Sequence, residues 1–468
     1  MSDQRDFRYS IEHQKEKVFG KKPILKLKDP CKIDHGILEY DETSKKELVA
    51  KFEKNNASLA FFIPASGSGS RMFQFLYEFL HQPDEYNVQL IEKFFNNFQN
   101  FAFYRLLPKE IKALNLAENP QIEKIIHFIL DKKGLNFANF PKGLIPFHKN
   151  GPFILNPFQE QVVQAINLVD TKVNVHFSIN ESFKNEIKQS VHNVTTLVGK
   201  DVHVFYSNQK KETDAISFYK DKTVVLDEDG KPLTRPSGHG ALLDNLNQID
   251  SEFIFVKNID NVQNYNHSFK SKESFKFLGG IALDFKEQLK LLHENPSQEQ
   301  LRILNKKYQL VDEKSIDRFS KEQILNLIDR PFRICGMIKN EGQPGGGPFW
   351  VEENGVLSKQ IIEKAQIENS FEQLKLLVKS THFNPVMMVL CPYNLEKKKY
   401  DLNKFCDDSK YFLIEKKYKG KSIYFSELPG LWNGSMAFWN SVFVEIPSDT
   451  FSPVKTVLDL LDKPHLQV

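Results

Sequence analysis

Residues 58–65 (SLAFFIPA) form an unbroken apolar run that stops in a small-residue stretch, SGSGSR (66–71), and is followed by MFQFLYEFL (72–80) with helical spacing. A strand without a polar face has to be covered on both sides, as in a parallel sheet. Strand, small-residue loop and helix together open a βαβ fold. The same alternation returns further on: 156–169 reads as helix, 172–179 as strand, 181–194 as helix and 201–207 as strand. Helix 240–249 and strand 252–260 (EFIFVKNID) follow, and after Pro331 a second apolar strand, FRICGMI (332–338), begins another α/β portion. Strands alternating with helices place the working site at the C-terminal edge of a mostly parallel sheet.

Three regions break this rhythm. Residues 1–56 are polar and lysine-rich, with an amphipathic helix expected over 41–55 in an N-terminal helical extension. Residues 269–328 are helical and charged. The stretch FFNNFQNFAFYRLL (94–107) holds five of the 40 phenylalanines. Such rings can stack on bases, but at this spacing they read as the buried face of a helix, inside a helical insertion of about residues 73–140. The expected division is therefore an N-terminal extension over 1–56, a first α/β half over 57–330 and a second over 331–468.

Composition narrows the partners. With 63 Lys plus Arg against 60 Asp plus Glu, the net charge of +3 is too small to point to nucleic acid or an anionic membrane. Hydrophobic residues at 40% and charged ones at 26% exclude wholesale disorder. No window approaches 18 consecutive apolar residues, and the first ten residues lack the apolar core of a secretion signal. The four cysteines (Cys31, Cys335, Cys391, Cys406) form no CxxC pair, so neither a zinc ribbon nor a disulfide framework is expected. These features lead to the expectation of a cytoplasmic protein; they leave its oligomeric state, monomer or dimer, open.

Four segments sit where such a sheet presents ligands. Ser66, Gly67, Ser68, Gly69, Ser70 and Arg71 follow the first strand, where small residues let backbone N–H groups approach phosphate oxygens and an arginine adds a forked donor. The loop has neither the GK[ST] of a Walker motif nor the GxGxxG of a dinucleotide site, and by itself a tight turn explains it equally well. In PKGLIPF (141–147) two prolines fix the backbone around Lys142. In RPSGHG (235–240), Gly238 and Gly240 permit close approach of a flat ligand, and His239 receives no proton-transfer role. In KNIDN (257–261), Asp260 closes an apolar strand and suits either a turn or a Mg²⁺ ligand.

In type and order these segments resemble the nucleotide-sugar pyrophosphorylases, especially their UDP-sugar branch, and FSPVKTVLDLL (451–461) is similar to that branch's FxPVKxxxDLL segment. The whole chain also resembles a bacterial family catalogued as domain of unknown function 4301, through KNEGQPGGGPFWV (339–351) and ELPGLWNGSMAFWN (427–440). The resemblance implies a GT-A-like (Rossmann-like) domain that joins a sugar 1-phosphate to a nucleoside triphosphate, UTP favoured and GTP the close variant, and releases pyrophosphate. It implies that Gly67, Gly69 and Arg71 cradle the triphosphate with Ser66, Ser68 and Ser70. Lys142 would stabilise charge on the α-phosphate and the leaving group, and Asp260 would hold Mg²⁺. Lys455 would touch the sugar phosphate, while Gly238 and His239 lie along the base. For the sugar it implies Trp432, Asn433 and Glu341, with Trp350 a further ring; Gly345, Gly346 and Gly347 serve equally as turn residues.

The chain departs from the family pattern in three ways. Ser66 replaces the first glycine of the usual GGxGTR loop, Ser70 replaces its threonine, and Arg71 lies 71 positions before Lys142 instead of close by. Two other classes stay open: a non-catalytic nucleotide-sugar-binding protein that kept the fold, and a GT-A glycosyltransferase. The second is disfavoured because Asp260 is followed by Asn261 and Val262 rather than by a DxD pair.

Overall fold

The computed structural model describes residues 10–22, 24–81, 84–169, 172–342, 345–353 and 355–467. Residues 1–9, Gln343 and Pro344, on which part of the sequence reading fell, lie outside the described residues. The fold is mixed α/β, with mostly parallel strands flanked by helices. Backbone contacts divide the chain into two compact units that interleave along the sequence: residues 1–58, 209–255 and 277–446 make one, and 59–208, 256–276 and 447–468 the other. Residues 331–446 thus fold with the N-terminal segment, and the last 22 residues fold with 59–208.

The unit containing 59–208 is built on three parallel strands, Leu59–Pro64, Val173–Ile179 and Val202–Asn208, with Ala60 opposite Asn174 and Val175 opposite Val204. The first strand is buried almost throughout, as its lack of a polar face requires. Helix Pro157–Leu168 starts at a capping box between Asn156 and Gln159, with Pro157 at its first position, so two otherwise orphaned backbone donors are satisfied. It buries Phe158, Val162, Ala165 and Ile166, and Phe158 meets Phe177 of the central strand edge-on at 5.0 Å between ring centres.

Residues 72–140 are helical, with Gln74–His81, Glu85–Asn96 and Asn119–Leu130 as the main helices. The phenylalanines form a core: Phe94 stacks on Phe101 at 4.9 Å and Phe101 on Phe103 at 5.2 Å, all essentially without exposure. The stripe is therefore packing rather than a base-stacking surface. Val454, Val457, Leu458 and Leu460 of the C-terminal segment complete that core. The same segment brings His465 to a buried chain in which His148 faces Glu160 Oε1 through Nδ1 (2.7 Å) and His465 Nδ1 through Nε2 (2.9 Å).

In the other unit, strand Phe332–Lys339 runs parallel to Asn440–Glu445 and antiparallel to Met388–Cys391. Gly36–Leu38 extends this sheet parallel to Asn440–Glu445, and Leu27–Pro30 pairs with Gly347–Glu353 in a separate antiparallel sheet. The N-terminal segment is therefore not helical throughout. Helix Glu42–Glu53, capped by Asp41, forms where the periodicity indicates, but strands of three or four residues among lysines are too short to show any alternation. The strand expected over 252–260 likewise stops at Val256, so Asp260 stands four residues beyond its end.

Candidate active site

Four of the segments singled out in the sequence come together in the unit containing residues 59–208. The strand Leu59–Pro64 delivers the chain into the loop Ser66–Arg71, and the backbone then makes its helical excursion and returns to the same place. Gly69 N–H donates to the Phe140 carbonyl (3.0 Å), and Lys142 N–H donates to the Gly67 carbonyl (3.1 Å). The 71-residue separation of Arg71 and Lys142 is thus closed by two backbone hydrogen bonds. Only glycine fits at position 69, where a Cβ would stand 2.6 Å from Ile145 Cδ1 and 2.8 Å from the Phe140 carbonyl oxygen. Gly67 has open space within 4 Å of its would-be Cβ.

The loop is exposed except for Gly69. Ser70 N–H is taken by Ser68 Oγ (3.2 Å), while the N–H groups of Ser66, Gly67 and Ser68 make no hydrogen bond among the described residues. Free, exposed backbone donors in a small-residue turn suit an anion. Arg71 is exposed and has no ion pair among the described residues.

Lys142 opens a short 3₁₀ turn, and its Nζ donates to Asp260 Oδ2 at 3.0 Å and to the Val454 carbonyl at 2.7 Å. Its side chain is 14% exposed and that of Asp260 12%, so the pair is screened far less than a surface contact. Lys455 approaches the same carboxylate oxygen at 3.9 Å but is 60% exposed, which leaves its ammonium mobile enough to meet a ligand. Asp260 is positioned by its backbone. The Val454 N–H donates to the Asp260 carbonyl (3.2 Å), and the next residue, Asn261, accepts the Ser452 N–H on Oδ1 (3.0 Å). Arg71, Lys142 and Lys455 against Asp260 amount to three cations and one carboxylate, a net +2 suited to polyphosphate.

Asp260 Oδ1 has no hydrogen-bond partner among the described residues, and no group of three or more His, Cys, Asp or Glu side chains there could hold a metal ion unaided. That donor set fits a divalent ion that arrives on phosphate oxygens and takes a single protein carboxylate, as Mg²⁺ commonly does.

The remaining candidates belong to the other unit, where RPSGHG and LPGLWNG form one cluster. The Leu428 N–H donates to the Ser237 carbonyl (3.0 Å). Gly238, at φ +72°, faces Glu427, whose Oε2 would lie 2.5 Å from a Cβ. The His239 ring lies on Trp432 with centres 4.3 Å apart, and its Nδ1 accepts the Leu431 N–H at 3.0 Å. Burial pushes the imidazole down to about 4, so it is neutral and presents Nε2–H toward Glu363, 3.8 Å away.

Asn433 is buried, with its amide donating to Glu363 Oε1 (3.0 Å) and Gln366 Oε1 (3.1 Å); only its Oδ1 is unpartnered. Trp432 is partly exposed and Trp350 is buried. Glu341 lies in the exposed segment after strand Phe332–Lys339. Glu363, Gln366, Glu427 and the Val454 carbonyl carried no signal in the sequence, because each matters only through a partner tens to hundreds of residues away.

Among solved structures, the chain is similar in fold to a uridine diphosphate N-acetylglucosamine pyrophosphorylase from Trypanosoma brucei. The TM-score is 0.50 and the identity 12%, with 98% of this chain and 75% of that one covered. Looser matches are an Entamoeba histolytica protein provisionally assigned as a UDP-N-acetylglucosamine pyrophosphorylase (TM-score 0.45, 13% identity, 89% of this chain and 80% of that one) and a Trypanosoma brucei UDP-glucose phosphorylase (0.39, 13%, 95% and 69%). No curated protein matches the sequence significantly. The family model described as Domain of unknown function (DUF4301) matches residues 2–466, nearly the entire chain, and the protein belongs to that family.

Proposed function

We propose that the protein is a nucleotidyltransferase that joins a sugar 1-phosphate to a nucleoside triphosphate, UTP favoured, through a GT-A-like nucleotide site. The observation that carries this reading is the convergence of Lys142 and Lys455 on Asp260 beside a glycine- and serine-rich loop with three free N–H groups and Arg71. The fold likeness to a pyrophosphorylase of known structure supports it.

In the proposed reaction an oxygen of the sugar phosphate forms a bond to the α-phosphorus while the bond to the bridging oxygen breaks and pyrophosphate leaves. Such a displacement asks little bond-making of the protein, so positioning and charge neutralisation dominate. The backbone donors of Ser66, Gly67 and Ser68, with Arg71, would hold the triphosphate. Lys142 retains one free ammonium donor beside the two it has used, and would direct it at the α-phosphate and the departing oxygen. Lys455, exposed and flexible, would reach the sugar phosphate. Asp260 would hold Mg²⁺ through its unpartnered Oδ1; when bound, that ion would supply neutralisation of phosphate charge. Gly238 and His239 would lie along the base, and Trp432, Asn433 and Glu341 at the sugar, where Asn433 could offer only Oδ1.

The test is the reverse reaction: purified protein, Mg²⁺, pyrophosphate and a panel of UDP-, GDP-, ADP- and dTDP-sugars, scoring released nucleoside triphosphate. Release from one nucleotide sugar is expected. Silence across the panel with nucleotide binding retained would replace this reading with a nucleotide-sugar-binding protein.

A further inference from the structure

The unit containing strand Phe332–Lys339 holds two buried cations that lack a counter-ion. Arg333 has no exposed surface; its Nε donates to Ser441 Oγ (2.8 Å), its Nη1 to the Trp432 carbonyl, and its Nη2 to no partner. Lys359, 3% exposed, reaches only main-chain carbonyls, those of Gly36 (3.3 Å) and Tyr308 (3.4 Å), and lies over the Trp350 and Phe443 rings. No carboxylate contacts either group among the described residues. Burial pushes Lys359 down to about 8 and lowers Arg333 as well. An unpaired cation inside a protein is costly, and two within one unit, on strands of different sheets, point to a partner the chain does not supply.

Lys359 is part of the lining of a cavity of about 450 Å³, and Ser441, which accepts from Arg333, lines it as well; Arg333 itself stands behind that wall. Arg318 and Arg330 line it too, and among the described residues no aspartate or glutamate does. Arg318 is exposed and has no ion pair among the described residues. Phe319 and Trp439 supply apolar wall, and Trp439 Nε1 is a second buried donor without a partner.

We propose that this cavity is a binding site for a small organic anion, a phosphate or carboxylate head on an apolar body, with Arg318, Arg330 and Lys359 holding the head and Phe319 and Trp439 the body. The volume far exceeds that of a lone inorganic anion, and the mixture of cations with apolar wall matches a ligand that is charged at one end only. The unpartnered Trp439 Nε1 would find an acceptor when it binds, and the Lys359 ammonium its counter-ion. Nothing in this assignment depends on the nucleotidyl-transfer reading, whose phosphate-binding residues lie in the other unit and whose base and sugar candidates do not line this cavity.

The experiment is isothermal titration of the full chain with two probes, phenyl phosphate and benzoate. Saturable single-site binding of at least one is expected, with Kd of about 1 mM or tighter. Phosphate-only or benzoate-only binding identifies the head group. The double variant Arg318→Gln/Arg330→Gln, altered at or near the rim, should keep its melting temperature and raise Kd by about tenfold or more. Lys359→Met should abolish binding, whereas Lys142→Met should leave it unchanged. Failure of both probes to bind at about tenfold above that Kd, or unaltered binding in the rim variant, would overturn the assignment.

Discussion

Replacing Lys142 by methionine separates its proposed chemical role from its structural one. Removing one partner from a fully buried ion pair costs about 3–5 kcal/mol of stability. Here Lys142 and Asp260 keep 14% and 12% exposure, and Lys455, 3.9 Å from the same oxygen, remains as a substitute cation. About 1–2 kcal/mol is therefore expected, and against the usual total of about 5–15 kcal/mol the protein stays folded. Loss of a donor that stabilises transition-state charge costs about 3–4 kcal/mol, or roughly 10²–10³-fold in rate.

The two effects diverge further in a cycle with Asp260→Asn. The double variant no longer leaves a carboxylate without its main cation, so its urea midpoint should recover most of the loss. Its turnover should stay as low as that of either single variant, because both groups proposed to face phosphate are gone. The assay is pyrophosphate-dependent triphosphate release at saturating nucleotide sugar, run beside urea unfolding. Near-normal turnover in Lys142→Met would refute the reasoning, as would a double variant whose activity recovers in step with its stability.

Four further outcomes follow from the structure. Gly69→Ala places a methyl 2.6 Å from Ile145 Cδ1 and 2.8 Å from a backbone oxygen, and should lower the melting temperature and activity together. Gly67→Ala, with nothing within 4 Å, should leave stability unchanged and raise the apparent KM for nucleotide severalfold. Burial pushes Lys257 down to about 7, with Gln164 Oε1 and Ser271 Oγ its side-chain hydrogen-bond partners among the described residues. Between that value and 10.5 the unfolded chain binds the extra proton, so stability should rise with pH across the window, by at most about 1.4 kcal/mol per unit, and Lys257→Met should flatten the rise. His465 is pushed down to about 3, chiefly by burial and then by His148 and His267. The unfolded state again binds more protons, now below 6.5, so stability should fall as pH drops from 6.5 toward 3, and His465→Gln should lessen that slope in urea titrations.

What the sequence made legible was local. Strand Leu59–Pro64 and helix Pro157–Leu168 fall within a residue or two of their expected bounds, because an unbroken apolar run and an Asn-Pro start followed by glutamine each act over a few residues. The loop, Lys142, Asp260 and Lys455 were legible as separate short motifs, and the fold brings them to one place. Their contacts were not legible: nothing near Lys142 announces that its ammonium is anchored by the Val454 carbonyl. Nor does FRICGMI announce that its arginine is wholly buried, since an Arg in an apolar strand reads the same whether it points to solvent or to a serine across the sheet. The short strand Leu27–Pro30 escaped notice because its partner, Gly347–Glu353, lies some three hundred residues away and four residues carry too little periodicity.

Lys142 and the carbonyl that anchors it are 312 residues apart in the chain. At a ribosomal rate of about 5–20 residues per second, the carbonyl leaves the ribosome roughly 15–60 s after the lysine. For that interval the phenylalanine-rich helices of residues 72–140 have been synthesised without Val454, Val457, Leu458 and Leu460 to close their core. The core of those helices therefore stays four apolar side chains short for that whole interval, and its packing is completed only after most of the rest of the chain has been made.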